Sequence, residues 1–273
     1  MTEPVGTLGD LHSHLVPGVD DGARTLDEAL EAVDAMVAVG IGRVVTTPHF
    51  RASLLQDGDA CAQRIDEVER SFERLREAVR TRHSTLRLER GFEILLDVPD
   101  PDFSDPRVRL AGTPYVLVEW PRMRILPGTA AVLTRIREAG WTPVVAHPER
   151  YHGMDAELRR PLQWRQAGAL LQVNHGSVVG RYGTEARSRA LRLLQAGVVD
   201  VLSTDHHPRP GHGLEVEAVR EFFREADAEE SFARLTDVNP GRLMDGEAPL
   251  EVPGFALKKS LLGRLGNILG GRS

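Results

Sequence analysis

The chain has 273 residues, 41% hydrophobic and 27% charged, with a formal net charge of −6. That composition suits a folded domain with a sizeable core and excludes wholesale disorder. It also argues against a membrane-spanning helix, which needs a run of about 18 apolar residues, and against nonspecific nucleic-acid binding, which needs a basic surface.

Met1–Asp10 lacks a basic stretch followed by an apolar one, so no secretory signal is expected. The one cysteine, Cys61, allows no internal disulfide, and a cytoplasmic location is the expectation. The 34 basic residues include only two lysines, Lys258 and Lys259.

Along the chain, strands and helices alternate. Leu8–Leu11 is a short apolar run ending in His12. Thr25–Val39 places Leu26, Ala29, Leu30, Val33, Met36 and Val37 at helical spacing. Thr25 with Glu28 forms a capping box that starts this helix, and Gly40 ends it. The β-branched run Arg43–Thr47 is a strand stopped by Pro48. Gln56–Arg82 is a long amphipathic helix, and Leu86–Leu96 a strand region. Further strands are predicted at Tyr115–Trp120, Pro143–Ala146, Ala169–Val173 and Val198–Ser203. Helices are predicted at Thr129–Ala139, Ala156–Ala167, Glu185–Ala196, Leu214–Ala226 and Glu229–Leu235. Such alternation implies parallel strands with helical crossovers, and this length favours a closed barrel of the TIM type over an open sheet. No glycine-rich dinucleotide fingerprint or phosphate loop follows any strand.

The polar residues at strand ends carry the chemistry. His12 and His14 are two apart, so on extended chain both imidazoles face one side. His49 closes the second strand, Glu93 lies in the third, and Glu119 ends the apolar run Tyr115–Val118. A carboxylate there is costly unless it is paired or metal-bound. His147 closes the Pro143–Ala146 strand, and Asp205 and His207 follow Val201–Thr204. In a parallel barrel these ends open onto one face. The donors are nitrogen and oxygen with no thiolate, which suits Mn²⁺, Fe, Mg²⁺ or catalytic Zn²⁺ rather than a structural zinc.

Several segments together resemble the polymerase-and-histidinol-phosphatase (PHP) superfamily. They are Asp10-Leu11-His12-Ser13-His14, Pro17-Gly18-Val19-Asp20-Asp21-Gly22, Thr46-Thr47-Pro48-His49, Gly91-Phe92-Glu93, Val118-Glu119-Trp120-Pro121, Ala146-His147-Pro148-Glu149-Arg150-Tyr151, Gln172-Val173-Asn174 and Ser203-Thr204-Asp205-His206-His207. More narrowly, they resemble the bacterial PHP-type protein-tyrosine phosphatases of capsule and exopolysaccharide loci, over residues 8 to 245. The resemblance implies a distorted (β/α)7 barrel holding three divalent ions, with Mn²⁺ first among the candidates. By that resemblance, His12, His14, Glu93 and Asp205 hold the first ion. Glu93 bridges to a second, completed by Glu119 and His147, and Asp21, His49 and His207 hold the third. Asp20 competes with Asp21, and a turn or cap role is expected for it. His175 and His206 stand where the family commonly has other residues, and both are expected at the surface or behind the ligands.

The implied reaction is hydrolysis of phosphotyrosine by a metal-bridging hydroxide. Arg150 and, second, Arg209 are the phosphate-binding guanidiniums, and Glu93 is essential as the bridge. Phenolate leaves readily, so no strong proton donor is required. Cys61 lacks the Cys-x5-Arg loop of thiol phosphatases. The implied partner is a phosphotyrosine protein, in particular a bacterial tyrosine autokinase. Two other readings share the sequence: a small-molecule phosphomonoesterase of the histidinol-phosphatase type, and a non-catalytic metal-bound regulatory module. Residues 1–250 are expected to form the phosphatase domain. Residues 251–273 form a tail whose basic stripe, with Leu257, Leu261, Leu265 and Ile268, suggests peripheral contact with anionic lipid.

Overall fold

The computed structural model describes residues 7–155, 157–209 and 213–257. In chain order the strands are β1 (Leu8–Asp10), β2 (Ile41–Thr46), β3 (His49–Arg51), β4 (Arg87–Arg90), β5 (Glu93–Leu95), β6 (Tyr115–Glu119), β7 (Thr142–Ala146), β8 (Leu170–Asn174) and β9 (Val201–Ser203). The helices are α1 (Leu26–Ala38), α2 (Gly58–Arg82), α3 (Thr129–Glu138), α4 (Arg159–Gln166), α5 (His175–Val179), α6 (Gly183–Gln195), α7 (Val216–Glu225), α8 (Glu229–Ala233) and α9 (Asn239–Met244).

Every strand pairing is parallel. One sheet has the order β1-β2-β4 and the other β3-β5-β6-β7-β8-β9. The second strand stops before Pro48 as predicted, but His49 opens a further strand, β3, instead of closing the second, and the predicted Leu86–Leu96 region is cut into β4 and β5. Pro48, between β2 and β3, has no N–H to give to a ladder. Gly91, between β4 and β5, runs so close to the next segment that a Cβ there would lie 2.9 Å from the Leu110 Cα.

The cut staves still align, because β2 pairs with β4 and β3 with β5. The segment beyond β1 also reaches both ways. Thr47 N donates to the Ser13 carbonyl (2.7 Å), Asp205 N to the His12 carbonyl (2.8 Å), and His14 N to the His206 carbonyl (2.9 Å). Thus His12–His14 is wedged between the ends of β2 and β9.

The central strands β6, β7 and β9 are largely buried and apolar on both faces, as parallel strands covered by helices are, while β3 and β4 carry charged residues. A large apolar cluster lies between strands and helices and takes Val33, Met36, Leu75, Ile94, Val118, Val145 and Trp164. A smaller one is shared by strands of both sheets, through Val45, Leu117, Val144 and Val201, and is closed by Leu243 and Met244 of α9. Each fully buried large aliphatic side chain there contributes roughly 1.5–3 kcal/mol.

Helix ends follow local chemistry. Thr25 Oγ accepts from Glu28 N at 3.2 Å, while the Glu28 carboxylate accepts from Arg24 N at 2.9 Å. Helix α4 starts at Arg159 and not at the predicted 156, because the Asp155 carboxylate accepts from the N–H groups of Arg159 and Arg160. Val252 is buried, and Phe255 packs on Phe223 with ring centroids 5.2 Å apart. The basic part of the tail, from Lys258 onward, lies outside the described residues.

Candidate metal centre

Because the strands are parallel, their C-terminal ends share one face. Four groups of donors converge there: His12, His14 and Asp205; His12, Glu93 and His147; His49, Glu93 and Glu119; and His14, Asp21, His49 and His207. Within each group the donor atoms lie within 4.8 Å of one another. All nine residues expected from the sequence are therefore brought together.

Glu93 is at the centre. Its carboxylate lies 3.3 Å from His12 Nε2, 3.4 Å from His14 Nε2, 3.0 Å from His49 Nδ1 and 2.9 Å from His147 Nε2. It owes this position to the start of β5, where its N–H bonds the Pro48 carbonyl at 3.1 Å.

The electrostatics explain what such a cluster requires. Burial opposes a charge on His12, yet Glu93 and Asp205 outweigh it and hold the imidazole at about 10. His49, facing Asp21 and Glu93, overcomes its own burial and rises to about 11. Burial, then the neighbouring Glu93, pushes Glu119 up to about 8. Burial pushes His147 down, leaving it the neutral imidazole that ligates metals. Without metal, protons must neutralise four crowded carboxylates. Divalent cations would replace those protons, and the mixed imidazole and carboxylate donors fit them.

Behind the donors lies an orienting layer. Gln172 Oε1 meets His12 Nδ1 at 2.9 Å, and Gln172 Nε2 donates to Asn174 Oδ1 at 2.8 Å. Asn174 Nδ2 donates to Asp205 Oδ2 at 2.8 Å. Asp20 Oδ2 takes His14 Nδ1 at 2.7 Å and accepts from His49 N at 3.1 Å. These contacts fix each ring so that its other nitrogen faces the site. Asp20 Oδ1 also accepts from Gly22 N, the turn role expected of it. Asp21, not Asp20, faces His49 and His207, at 3.3 and 3.2 Å. Gly22 is required by close approach, since a Cβ there would sit 2.1 Å from the His14 carbonyl oxygen.

Two donors carry left-handed backbone: His147 at φ 35° and Asp205 at φ 51°. Such conformations cost of order 1–3 kcal/mol and cluster at working sites.

The two arginines expected to bind phosphate are both engaged. Arg150 Nη1 donates to Asp205 Oδ2 at 2.6 Å, and its guanidinium lies 4.2 Å from the Tyr182 ring centroid. Arg209 Nη2 donates to Asp21 Oδ2 at 2.8 Å. Both nevertheless line the cavity, of about 400 Å³, together with Arg122, Met123 and Tyr182, which sequence reasoning missed. Gln172 and Asn174 also went unassigned, although their two-residue spacing on β8 places them on one face. His175 and His206 are both buried, so of the two positions expected for them, at the surface or behind the ligands, the surface one is excluded. His206 is paired through its backbone with Ser13.

A parallel α/β fold with a many-histidine, many-carboxylate pocket at its strand ends is the frame of a metal-dependent hydrolase. The profile of the family described as "Capsular polysaccharide synthesis, CpsB/CapC" matches residues 8–245, and the chain belongs to that family. The tyrosine-protein phosphatase YwqE of Bacillus subtilis is 26% identical over 200 residues, covering 72% of this chain and 76% of that protein. The tyrosine-protein phosphatase CpsB of Streptococcus agalactiae is 24% identical over 205 residues, covering 72% and 82%.

Among solved structures, one described as YwqE from Bacillus subtilis and CpsB from Streptococcus pneumoniae, metal-dependent tyrosine phosphatases, aligns with TM-score 0.69 and 22% identity. It covers 92% of this chain and 99% of the other. An organophosphorus hydrolase from Deinococcus radiodurans aligns with TM-score 0.52 and 15% identity, covering 88% of this chain and 94% of that one. These likenesses extend the fold assignment. Among the described residues, no helix is long and apolar enough to cross a membrane.

Proposed function

We propose that the chain is a metal-dependent protein-tyrosine phosphatase. The observation that carries this reading is the buried Glu93 carboxylate, which meets four imidazoles at the strand ends. Family membership and the tyrosine-phosphatase relatives support it.

The architecture proposed is the distorted (β/α)7 barrel. β2 with β3, and β4 with β5, count as single staves, and β1 meets β9 through Ser13 and His206. Three cation positions are proposed: His12, His14, Glu93 and Asp205; Glu93, Glu119 and His147; and Asp21, His49 and His207. Mn²⁺ is the first choice for them. Bound divalent ions would neutralise phosphoryl oxygens and acidify water so that a nucleophile is available near neutral pH.

The chain's own residues do the rest. Arg150 is held by Asp205 and Tyr182 with its guanidinium lining the cavity, where it offers N–H donors to a phosphoryl oxygen. Arg209 stands opposite, tied to Asp21. Met123 and Tyr182 give the mouth a thioether and an aromatic face suited to an aryl ester. A phenolate leaves without a strong acid, so the pocket needs no dedicated proton donor.

The partner proposed is a phosphotyrosine protein of the tyrosine-autokinase kind, met in the cytoplasm. The 251–273 tail docks on the domain through Val252 and Phe255, and its part from Lys258 onward is proposed to face lipid; co-sedimentation of the full chain and a 1–257 truncation with anionic vesicles tests that. Equal, negligible binding by the two would sink it. The central experiment is metal analysis with initial rates on a phosphotyrosyl peptide, p-nitrophenyl phosphate and histidinol phosphate. Turnover of the aryl esters by metal-loaded protein is expected. Turnover of histidinol phosphate alone would overturn the tyrosine reading, and no turnover of any ester would favour the regulatory module.

A further inference from the structure

Beyond Glu119 the chain enters a short lip, Pro121–Arg124, at the mouth of the cavity. Arg122 and Met123 are consecutive non-glycine residues with left-handed backbone, at φ 56° and 52°. L-residues resist that conformation, so two in succession persist only where the surroundings impose it. The surroundings here do so. Tyr151 Oη accepts from Trp120 N at 2.9 Å, just before the lip, and His152 N donates to the Met123 carbonyl at 2.8 Å, within it. Both anchors follow the His147–Arg150 turn directly, so the lip is tied to the wall of the pocket.

The effect is to set Arg122 at the rim as an exposed guanidinium. Arg150 and Arg209 are each bound to a pocket carboxylate. Arg122 also lines the cavity, yet it has no carboxylate partner among the described residues. Arg124, two residues on, is exposed as well. In a chain of net charge −6, strain is thus spent on holding an unneutralised cation beside the site.

A phosphotyrosine side chain puts its phosphorus in the pocket and its backbone at the mouth. The residues that flank it in sequence then lie along the rim, where Arg122 stands. We propose that Arg122 is a specificity-determining residue that reads an anionic group, an aspartate or glutamate carboxylate, next to the phosphotyrosine being hydrolysed. This rests on the phosphatase reading above. A rim charge of this kind shifts apparent affinity more than the chemical step, and its effect fades with salt.

The test compares two phosphotyrosyl peptides, one with acidic and one with neutral flanking residues, alongside p-nitrophenyl phosphate, at low and high salt. Wild-type protein is expected to prefer the acidic peptide about twofold to fivefold through KM, as exposed ion pairs allow. Arg122→Gln should collapse that ratio to near one, Arg122→Lys should keep part of it, and Arg122→Glu should invert it. An equal loss on all three substrates in Arg122→Gln would show a role in the chemical step or in folding, and would overturn the proposal. So would a wild-type enzyme indifferent to the flanking charge. If wild-type protein hydrolysed none of the three, the phosphatase reading itself would fail and this inference with it.

Discussion

The two sides of the pocket are built differently. On the inner side His12, His14, Glu93 and Asp205 are 0–5% exposed at the side chain, and three of them are held from behind by Gln172, Asp20 or Asn174. On the outer side Asp21 is 56% and His49 42% exposed. The outer donors are nevertheless tied inward: His49 to Glu93 and Asp20, His207 to Asp205, and Asp21 to Arg209. Buried charges without a counter-ion are costly, so the inner set would hold a cation more tightly than a solvated set would. The difference implies cations of unequal affinity: an integral inner set and an exchangeable outer one.

The comparison can be broken most forcefully at its shared residue. Glu93→Ala is expected to lower kcat/KM by about a thousandfold or more, a loss of transition-state stabilisation of over about 4 kcal/mol. Bound metal, measured on the same sample, should fall with it. Retained activity at unchanged metal content would refute the central role of this carboxylate.

Next in size is Gln172→Leu, which releases the His12 ring. Loss of such an orienting partner costs about 10–100-fold in metal affinity, and metal titration should show it on the tight phase. Asp21→Asn should act on the weak phase only, with activity restored by excess metal. Loss of the tight phase in that variant would erase the inner and outer distinction.

The smallest effect on activity is expected at His175, buried in α5 beside Asn174. Burial pushes this imidazole down to about 4. Between pH 6.5 and 4 the unfolded chain binds a proton there that the folded chain refuses. Its share of stability is therefore complete above pH 6.5 and drains away as pH falls toward 4, by at most about 3 kcal/mol. His175→Leu should flatten the acid limb of urea midpoints while leaving the site's own metal titration in place. An unchanged acid limb would contradict this.

Much of this was legible beforehand because parallel strands put their last residues on one face, and those residues are chemically conspicuous. His12, His49, His147 and Asp205 lie at or just past the ends of predicted strands, and His14 stands two residues beyond His12. What escaped was geometry that leaves no periodic trace. The break at Gly91-Phe92 split one predicted strand, and a new strand resumed after Pro48, so that His49 and Glu93 begin strands instead of ending or interrupting them. Helix α5 is five residues long, too short for a 3.6-residue pattern to register. The left-handed backbone at His147, Asp205, Arg122 and Met123 is imposed by tertiary contacts. No local propensity announces it, and the rim arginine followed from that strain.

The pairing of the first strand's exit with the last strand's has a consequence for how the protein comes into being. Thr204 donates to the Asp10 carboxylate across 194 residues of chain, and Asp205 and His206 bond the backbone of His12 and His14 nearby. During synthesis the first two imidazoles therefore wait, incomplete, while almost the whole domain is made. Contacts of such separation form late and slow folding. A chain halted before Asp205 lacks the donor that completes the innermost group, so a cation proposed to sit there would be captured only at the final closing step.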